Sequence, residues 1–437
     1  MTTAIALFTR DLRIHDNPVL AGAMERAEFT LPLFVLDTGV EQANFAGRHR
    51  PAFLADCLSD LNSSLRAHGG RLLVRRGELV HEVVRLAEHL HAAEVHVAAD
   101  VSGFAARRER RLRAALAQHR CALVVHDAVH TALSPGAVTP SGSDHFAVFT
   151  AYWRRWSETP IRRLASSLQR IRVPAAPQGV AVPEPRQCGS RLGGETVGRR
   201  RAAAWVEQGL QDYADRHDLL AVEGTSRLSP YLHFGCISAV ELVGWARQHR
   251  GAGSEAFIRQ LAWRDFHAQL LAARPAAAHD DYWARSRPWA DDADALEAWR
   301  AGQTGYPIVD AGLRQLMAEG WMHNRARLIT GSFLTKTLDL DWRAGAAHFF
   351  AHLLDGDVAN NCLNWQWVAG TGTDTRPYRR LNPLRQAKRF DPDGAYVRRW
   401  VPELADLPGE AVHAPWHLSH PQRRAVRYPE PIVAPPR

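Results

Sequence analysis

The sequence is poor in cysteine and holds no metal-binding spacing. Cys57, Cys121, Cys188, Cys236 and Cys362 are scattered, with no CxxC pair and no Cys/His cluster at zinc spacing. That excludes a disulfide scaffold and a zinc module, and predicts reduced thiols in a cytoplasmic protein. No stretch approaches the roughly 18 uninterrupted apolar residues of a membrane span. The start, MTTAIALFTRDLRIHDN, lacks a basic segment followed by a long apolar run, so it reads as a first strand rather than a secretory signal. There is no internal repeat at solenoid periods. Tryptophan is absent before Trp153, yet twelve of the 14 follow residue 200. The two halves of the chain therefore do different work.

What is present is ordinary for a folded chain. Of 437 residues, 46% are apolar and 23% charged, which excludes disorder, collagen and coiled coil as whole-chain readings. At about 150 residues per domain the length fits two large domains or three smaller ones. Basic residues number 54 against 46 acidic ones, a formal net charge of +8. This points weakly to a polyanionic partner, with an Arg-rich compositional bias as the plain alternative.

Short apolar runs alternate with helical patterns over residues 1–130. Strands are predicted at AIALF from Ala4, LPLFVLD from Leu31, RLLVRRG from Arg71, EVHVAAD from Glu94 and ALVVHD from Ala122. Helical periodicity marks Phe53–Leu65 and Leu79–Leu90. This is the pattern of an α/β domain, a doubly wound parallel sheet of Rossmann-like type whose ligands sit beyond the carboxyl ends of the strands. The first strand-to-helix turn, FTRDLRIHDNP, lacks GxGxxG, so usual NAD binding is not expected. Residues 131–195 read as a linker whose run VPAAPQGVAVPEP should be extended and exposed. Residues 196–437 read as an all-α domain, helical to about residue 370, with the last 60 residues irregular and packed on the helices.

Five constellations stand out. In Glu223–Gly235, Ser229 before Pro230 reads as a helix cap, and Thr225, Ser226 and Ser229 with free backbone N–H groups suit a phosphate or plain capping. In Ser254–Ala273, Gln260, Trp263, Arg264 and His267 share one helical face, a polar-aromatic stripe suited to the wall of a wet pocket. In Trp321–Leu328, Trp321, Asn324 and Leu328 are expected on one helical face, with Arg325 and Arg327 beside it. Asp355 and Asp357 precede NNCLNWQW; two carboxylates alone are weak support for Mg²⁺, and no metal is expected. Trp365 and Trp367 lie roughly 200° apart on a helix, so one faces inward and the other a cleft. Finally, residues 376–400 hold eight basic and two acidic residues with interleaved aromatic rings, the composition of a phosphate-tracking surface or of a solvated basic face.

These motifs, in this order, resemble the DNA photolyase/cryptochrome family, most closely its class I cyclobutane pyrimidine dimer photolyases. TRDLRIHDNP, TSRLSPYL, WRDF, TGYPIVDAGLRQL, GWMHNR, SFLTK, DWR, NWQWVAGTGTD and WVPEL carry the resemblance, which spans the chain. It implies an α/β domain, a linker and a helical domain holding FAD. Carried over, Tyr213, Thr225, Ser226, Leu228 and Ser229 would hold the FAD phosphates and nearby atoms. Arg264, Asn324, Arg327, Asp355 and Asp357 would line the flavin, with Asn361 facing its N5. Trp365, Trp342 and Trp289 match the family's electron-relay tryptophans, and Trp263 and Trp367 the walls that receive a flipped-out lesion. Gln260, Trp321 and Leu328 would contact the lesion, and Arg379 and Arg380 the DNA. The implied activity is light-dependent dimer repair by an electron from photoexcited reduced FAD. The implied partner is double-stranded DNA, with a monomeric enzyme acting in the cytoplasm and associated with the nucleoid when bound.

Several positions depart from the family pattern. Gln260 stands where many members have Glu, and Leu328 where Met is frequent. Asn324 and Leu328 replace the two histidines of (6-4) photolyases, which argues against (6-4) repair. Trp367, Asn361 and the lack of a long tail after Pro431 favour dimer repair over a signalling cryptochrome. The alternatives are a cryptochrome-like light sensor without repair activity and a light-independent flavoprotein oxidoreductase. A second, antenna chromophore is implied in the first domain. DVSGFAAR from Asp100, with Ala106 where a folate-type loop has Glu, suggests 8-hydroxy-deazaflavin over methenyltetrahydrofolate.

Overall fold

The computed structural model describes residues 2–43, 45, 47–184 and 192–435; Cys188 and part of the expected linker lie outside them. Five strands, β1 (Thr3–Phe8), β2 (Phe29–Asp37), β3 (Leu73–Gly77), β4 (Glu94–Ala98) and β5 (Ala122–His126), form one parallel sheet in the order β3-β2-β1-β4-β5. Ile5 lies in register with Leu31 on one side and Val95 on the other. All six residues of β1 are buried. Helices cover both faces of such a sheet, so its strands read as continuous apolar runs rather than alternating ones. The helices among the strands are α1 (Pro18–Arg26), α2 (Thr38–Gln42), α3 (Arg50–Ala67), α4 (Leu79–His89) and α5 (Gly103–Gln118). The chain passes from β3 at one edge back to β4 beside β1. That reversal opens a crevice at the carboxyl ends of β1 and β4.

After β5 the regular elements of the described chain are helices, joined by long stretches of turn and coil. It runs through α6 (Phe149–Glu158), α7 (Glu195–Gln208), α8 (Tyr213–Arg216), α9 (Ser229–His233), α10 (Ala239–Arg247) and α11 (Ala252–Ala273). Then follow α12 (Ala293–Arg300), α13 (Pro307–Glu319), α14 (Asn324–Ser332), α15 (Trp342–His352) and α16 (Val358–Ala369). The end of the chain holds α17 (Pro383–Phe390), α18 (Ala395–Trp400) and α19 (His420–Val426). No helix among the described residues is long and apolar enough to cross a membrane.

Two compact units divide the chain: Met1–Gln211 with Ser226–Pro275, and Asp212–Thr225 with Ala276–Arg437. This partition differs from the breaks read at residues 130 and 196. In the first unit the segment after β5 is stitched to α11. Asp265 accepts hydrogen bonds from the backbone N–H of Ala132 and Leu133 and from Trp156 Nε1. Gln269 brackets Phe146, accepting from its N–H at 3.1 Å and donating to its carbonyl at 2.8 Å. Among its described residues the expected linker is thus extended only in part. It contains α6, and Val180 adds an isolated bridge to Val74 of β3.

The turn FTRDLRIHDNP is a buried clasp. The Arg13 guanidinium donates to the carbonyls of His15, Asp16, Val129 and Gly235. Gly235 has φ +66, and a Cβ there would lie 1.8 Å from the Arg10 carbonyl, so only glycine fits.

In the second unit the core gathers Trp299, Phe333, Trp342, Phe349 and Trp365 around α13, α14 and α16. TGYPIVD is a structural clasp here. Buried Asp310 accepts from Thr304 N at 2.8 Å and Oγ1 at 2.6 Å, and from the Tyr428 hydroxyl. The last 60 residues are more ordered than expected. Pro383 occupies the first turn of α17 behind the Asn382 cap, where proline costs no hydrogen bond. Pro383, Pro402, Pro415 and Pro421 all sit in the first turn of a helix.

Candidate functional site

The first unit carries Ser226, Leu228, Ser229, Gln260, Trp263 and Arg264. Ser229 begins α9 but does not cap it. The cap position is Leu228, with no side-chain cap bond, which corrects the expected Ser–Pro start. The reason is local: Arg227 adopts φ +50, and the Ser226 hydroxyl accepts weakly from Leu228 N at 3.4 Å. The Ser226 carbonyl is held by Arg201 Nε at 2.8 Å. On α11 the predicted stripe forms: Gln260 exposed, Trp263 and Arg264 half-buried, His267 buried. Arg264 donates to the carbonyls of His130 and Leu232. Trp263 stacks on Phe149 with ring centres 3.7 Å apart and planes 8° apart.

The second unit carries Tyr213, Thr225, Trp289, Trp321, Asn324, Arg327, Leu328 and all the later site residues. Tyr213 opens α8 and is buried, which pushes its phenol pKa up. Trp321 lies outside the helix on which it was expected. Gly320 caps α13 in the left-handed conformation, and α14 starts only at Asn324. Asn324 and Leu328 share a face of α14; Trp321 belongs to the turn before it. His323 caps α14, its Nδ1 accepting from Arg325 N at 3.1 Å, and burial lowers its pKa to about 4. Arg325 is taken up by Asp218.

Arg327 Nη2 lies 3.1 and 2.8 Å from the two carboxylate oxygens of Asp355, and its Nε donates to the Met322 carbonyl. Asp357 is spent as the cap of α16, accepting from Asn360 N at 2.9 Å. Asn361 is buried, and its Nδ2 donates to the Ala346 carbonyl at 2.9 Å. With the amide thus oriented, Oδ1 is an acceptor with no donor among the described residues. No group of three or more metal-ligating side chains occurs among the described residues.

Of the three relay tryptophans expected, Trp365 and Trp342 are buried and Trp289 is half-buried. Trp365 meets Trp299 and Phe349 edge-on. Trp342 Nε1 donates to Asp281 at 2.8 Å, and the Arg285 guanidinium sits 3.6 Å over Trp289. Trp367, two residues after Trp365, is half-buried with Arg379 5.5 Å from its ring centre. Arg379 and Arg380 are exposed beside Tyr378, which is 94% exposed. Lys336, in the π-turn Phe333–Thr337, donates to the carbonyls of Ala369 and Pro377, both at 2.6 Å. It ties the end of α16 to this basic loop.

Sequence reasoning missed Phe149, Asp265 and Lys336. A signal for Phe149 existed: Phe149, Tyr152 and Trp156 recur at helical spacing inside a segment read as a linker.

Comparisons with known proteins bear on the family and the fold. Residues 4–175 match the family model described as DNA photolyase, and residues 257–436 that described as the FAD binding domain of DNA photolyase. The chain is 56% identical to a deoxyribodipyrimidine photo-lyase of Streptomyces griseus, covering 99% of this chain and 96% of that one. Among solved structures, a class III photolyase from Agrobacterium tumefaciens superposes with TM-score 0.90 at 29% identity, covering 99% of this chain and 95% of that one. A Synechocystis cryptochrome does so with TM-score 0.90 at 30% identity, over 99% and 96%. With matching motifs, matching fold and whole-chain relatives at this identity, the chain belongs to the DNA photolyase family.

Proposed function

We propose that the protein is a light-driven lyase that splits cyclobutane pyrimidine dimers in double-stranded DNA, with FAD as its cofactor. The observation that carries this reading is 56% identity, over 99% of the chain, to a protein named deoxyribodipyrimidine photo-lyase. The donor set supports the cofactor. The hydroxyls of Thr225 and Ser229 have no hydrogen-bond partner among the described residues and suit a phosphate. The Arg327–Asp355 pair places a cation and an anion together for a polar ring edge. Asn361 Oδ1 is an acceptor suited to a protonated flavin N5. Tyr213, Ser226, Leu228, Arg264, Asn324 and Asp357 complete the proposed cofactor residues.

When bound and reduced, FAD supplies on illumination the electron that opens the cyclobutane ring and is afterwards returned. Two carbon–carbon bonds between the bases break, no proton is required, and no electron is lost overall. The chain's task is positioning and electrostatics, which suits the absence of any hydrolytic triad from the motifs. Trp263 and Trp367 provide stacking surfaces that offset the cost of extruding the dimer. Gln260 donates an amide hydrogen bond to it but, unlike Glu, carries no charge. Trp321 and Leu328 add apolar contact, and Arg379 and Arg380 hold phosphates. Trp365, Trp342 and Trp289 would pass electrons inward from an external reductant at the surface, which is oxidised in their place. The Asp281 carboxylate accepts from Trp342 Nε1 and is also paired with Arg343, whose guanidinium lies 4.7 Å from the indole centre, so both charges face this ring.

The monomeric protein acts in the cytoplasm, at the nucleoid when DNA-bound. An antenna chromophore, 8-hydroxy-deazaflavin in preference to folate, would sit at the carboxyl ends of β1, β2 and β4. There Arg10 pairs with Asp100, Arg108 with Asp37, and Phe104 meets Phe45 edge-on. The spectrum of chromophores released from protein made in the native host tests this. The cryptochrome-like alternative has a specific observation in its favour, the Synechocystis neighbour. It predicts photoreduction without dimer loss, and an illuminated repair assay separates the two.

A further inference from the structure

We infer that Phe149 is a positioning residue for lesion recognition: it covers one face of the Trp263 indole, so that an extruded dimer stacks only on the other. The inference rests on the reading of Trp263 as a lesion-stacking wall. It begins with an unusual ring pair. Aromatic rings prefer offset or edge-on contact with centres about 4.5–7 Å apart, because facing π-clouds repel. Phe149 and Trp263 instead lie 3.7 Å apart at 8°, nearly eclipsed. Such a pair persists only where its surroundings hold it.

Those surroundings are specific. Phe266 meets Phe149 edge-on at 83° and Trp263 at 90°, closing the side of the pair. The Arg259 guanidinium lies 5.3 Å from the Phe149 ring centre, where its charge draws on the ring's electron density and eases the repulsion. The helix bearing Phe149 is fastened to α11 at both ends. Trp156 donates to Asp265 at 2.9 Å, and Gln269 brackets Phe146. The stretch from Ala132 to α6 is therefore a splint for the stripe on α11. Phe149 is itself 6% exposed, so it offers no face of its own to DNA, whereas Trp263 is half-buried. An indole fixed in one plane with one face covered loses no rotamer freedom when a planar ligand stacks on it.

The test measures binding of reduced holoenzyme, in the dark, to an oligonucleotide with one thymine dimer and to its undamaged twin. Phe149→Leu keeps the site apolar but removes the flat support. It is expected to weaken dimer binding about five- to tenfold, in line with the worth of an aromatic pair. Binding of undamaged DNA, FAD content and repair yield per absorbed photon at saturating DNA are expected to stay put. Phe149→Tyr should restore dimer affinity. In a Trp263→Ala background, Phe149→Leu should have no further effect. Equal loss of damaged and undamaged binding, loss of FAD, or full additivity with Trp263→Ala would reduce Phe149 to ordinary core and overturn the inference. Should Phe149→Leu fail to fold, Phe149→Tyr with Arg259→Gln carries the same comparison. There, an unchanged ratio of damaged to undamaged affinity on loss of Arg259 overturns it. Wild-type protein that leaves the dimer intact under light would fail the proposed function itself; intact wild-type repair with an inert Phe149 fails this inference alone.

Discussion

Asp355 presents both carboxylate oxygens to a single nitrogen of Arg327, at 3.1 and 2.8 Å, across 28 residues of sequence. The Asp355 side chain is 6% exposed and that of Arg327 25%. Removing one partner leaves the other charge poorly solvated. Asp355→Asn is expected to cost about 1–3 kcal/mol of stability and to release much of the FAD. The melting temperature and the flavin-to-protein ratio after gel filtration check this.

Trp365→Phe should slow photoreduction of oxidised cofactor by at least about tenfold, since phenylalanine is far harder to oxidise. Repair by enzyme reduced chemically beforehand should persist. Flash photolysis and a repair assay on the same preparation separate the two activities. Equal loss of both would contradict a relay role.

Removing Arg379 and Arg380 together should weaken damaged and undamaged DNA alike. Each lost phosphate contact lowers the slope of log K against log salt by about 0.9, so the pair lowers it by about 1.8. A salt titration reads this directly.

Four histidines, two buried and two half-buried, set an acid limit. Burial lowers His126, His323 and His348 to about 4, and His130 to about 3. Unfolded histidines take up protons near the ordinary value of about 6.5, before these folded ones do. The unfolded state therefore binds more protons below that pH, and stability falls as pH falls through the window from about 6.5 to about 4. Asp265, raised by burial to about 6, opposes this, since its folded form keeps a proton that the unfolded form has lost. Burial raises Asp11, Asp310 and Asp391 as well, but it also lowers His96 and His413, so six histidines outweigh four carboxylates. The melting temperature should drop between about pH 7.5 and about pH 5. His348→Gln should flatten that drop.

Much of the fold was legible because parallel strands buried on both faces leave apolar runs. LPLFVLD lies wholly within β2, which begins two residues earlier because Phe29 pairs with Thr3. β3 starts later than its apolar run, since Leu72 N is spent on Asn62 Oδ1. The stripe on α11 was legible because helical periodicity is local. Trp321 was misplaced because a left-handed Gly320 ends the helix before it. The stack of Phe149 on Trp263 and the clasp of Asp310 with Tyr428 join residues more than a hundred positions apart. No local pattern announces such pairs. Prolines and arginines near the end of the chain suggested irregularity, yet Pro383 begins a capped helix.

Dimer repair under light is the most direct test of the whole account. Chemically reduced protein, supplied with FAD, is mixed with an oligonucleotide carrying one defined thymine dimer and divided between blue light and darkness. The dimer should vanish from the illuminated sample and survive in the dark one. A dimer that survives illumination, with flavin bound and reduced, would contradict the account.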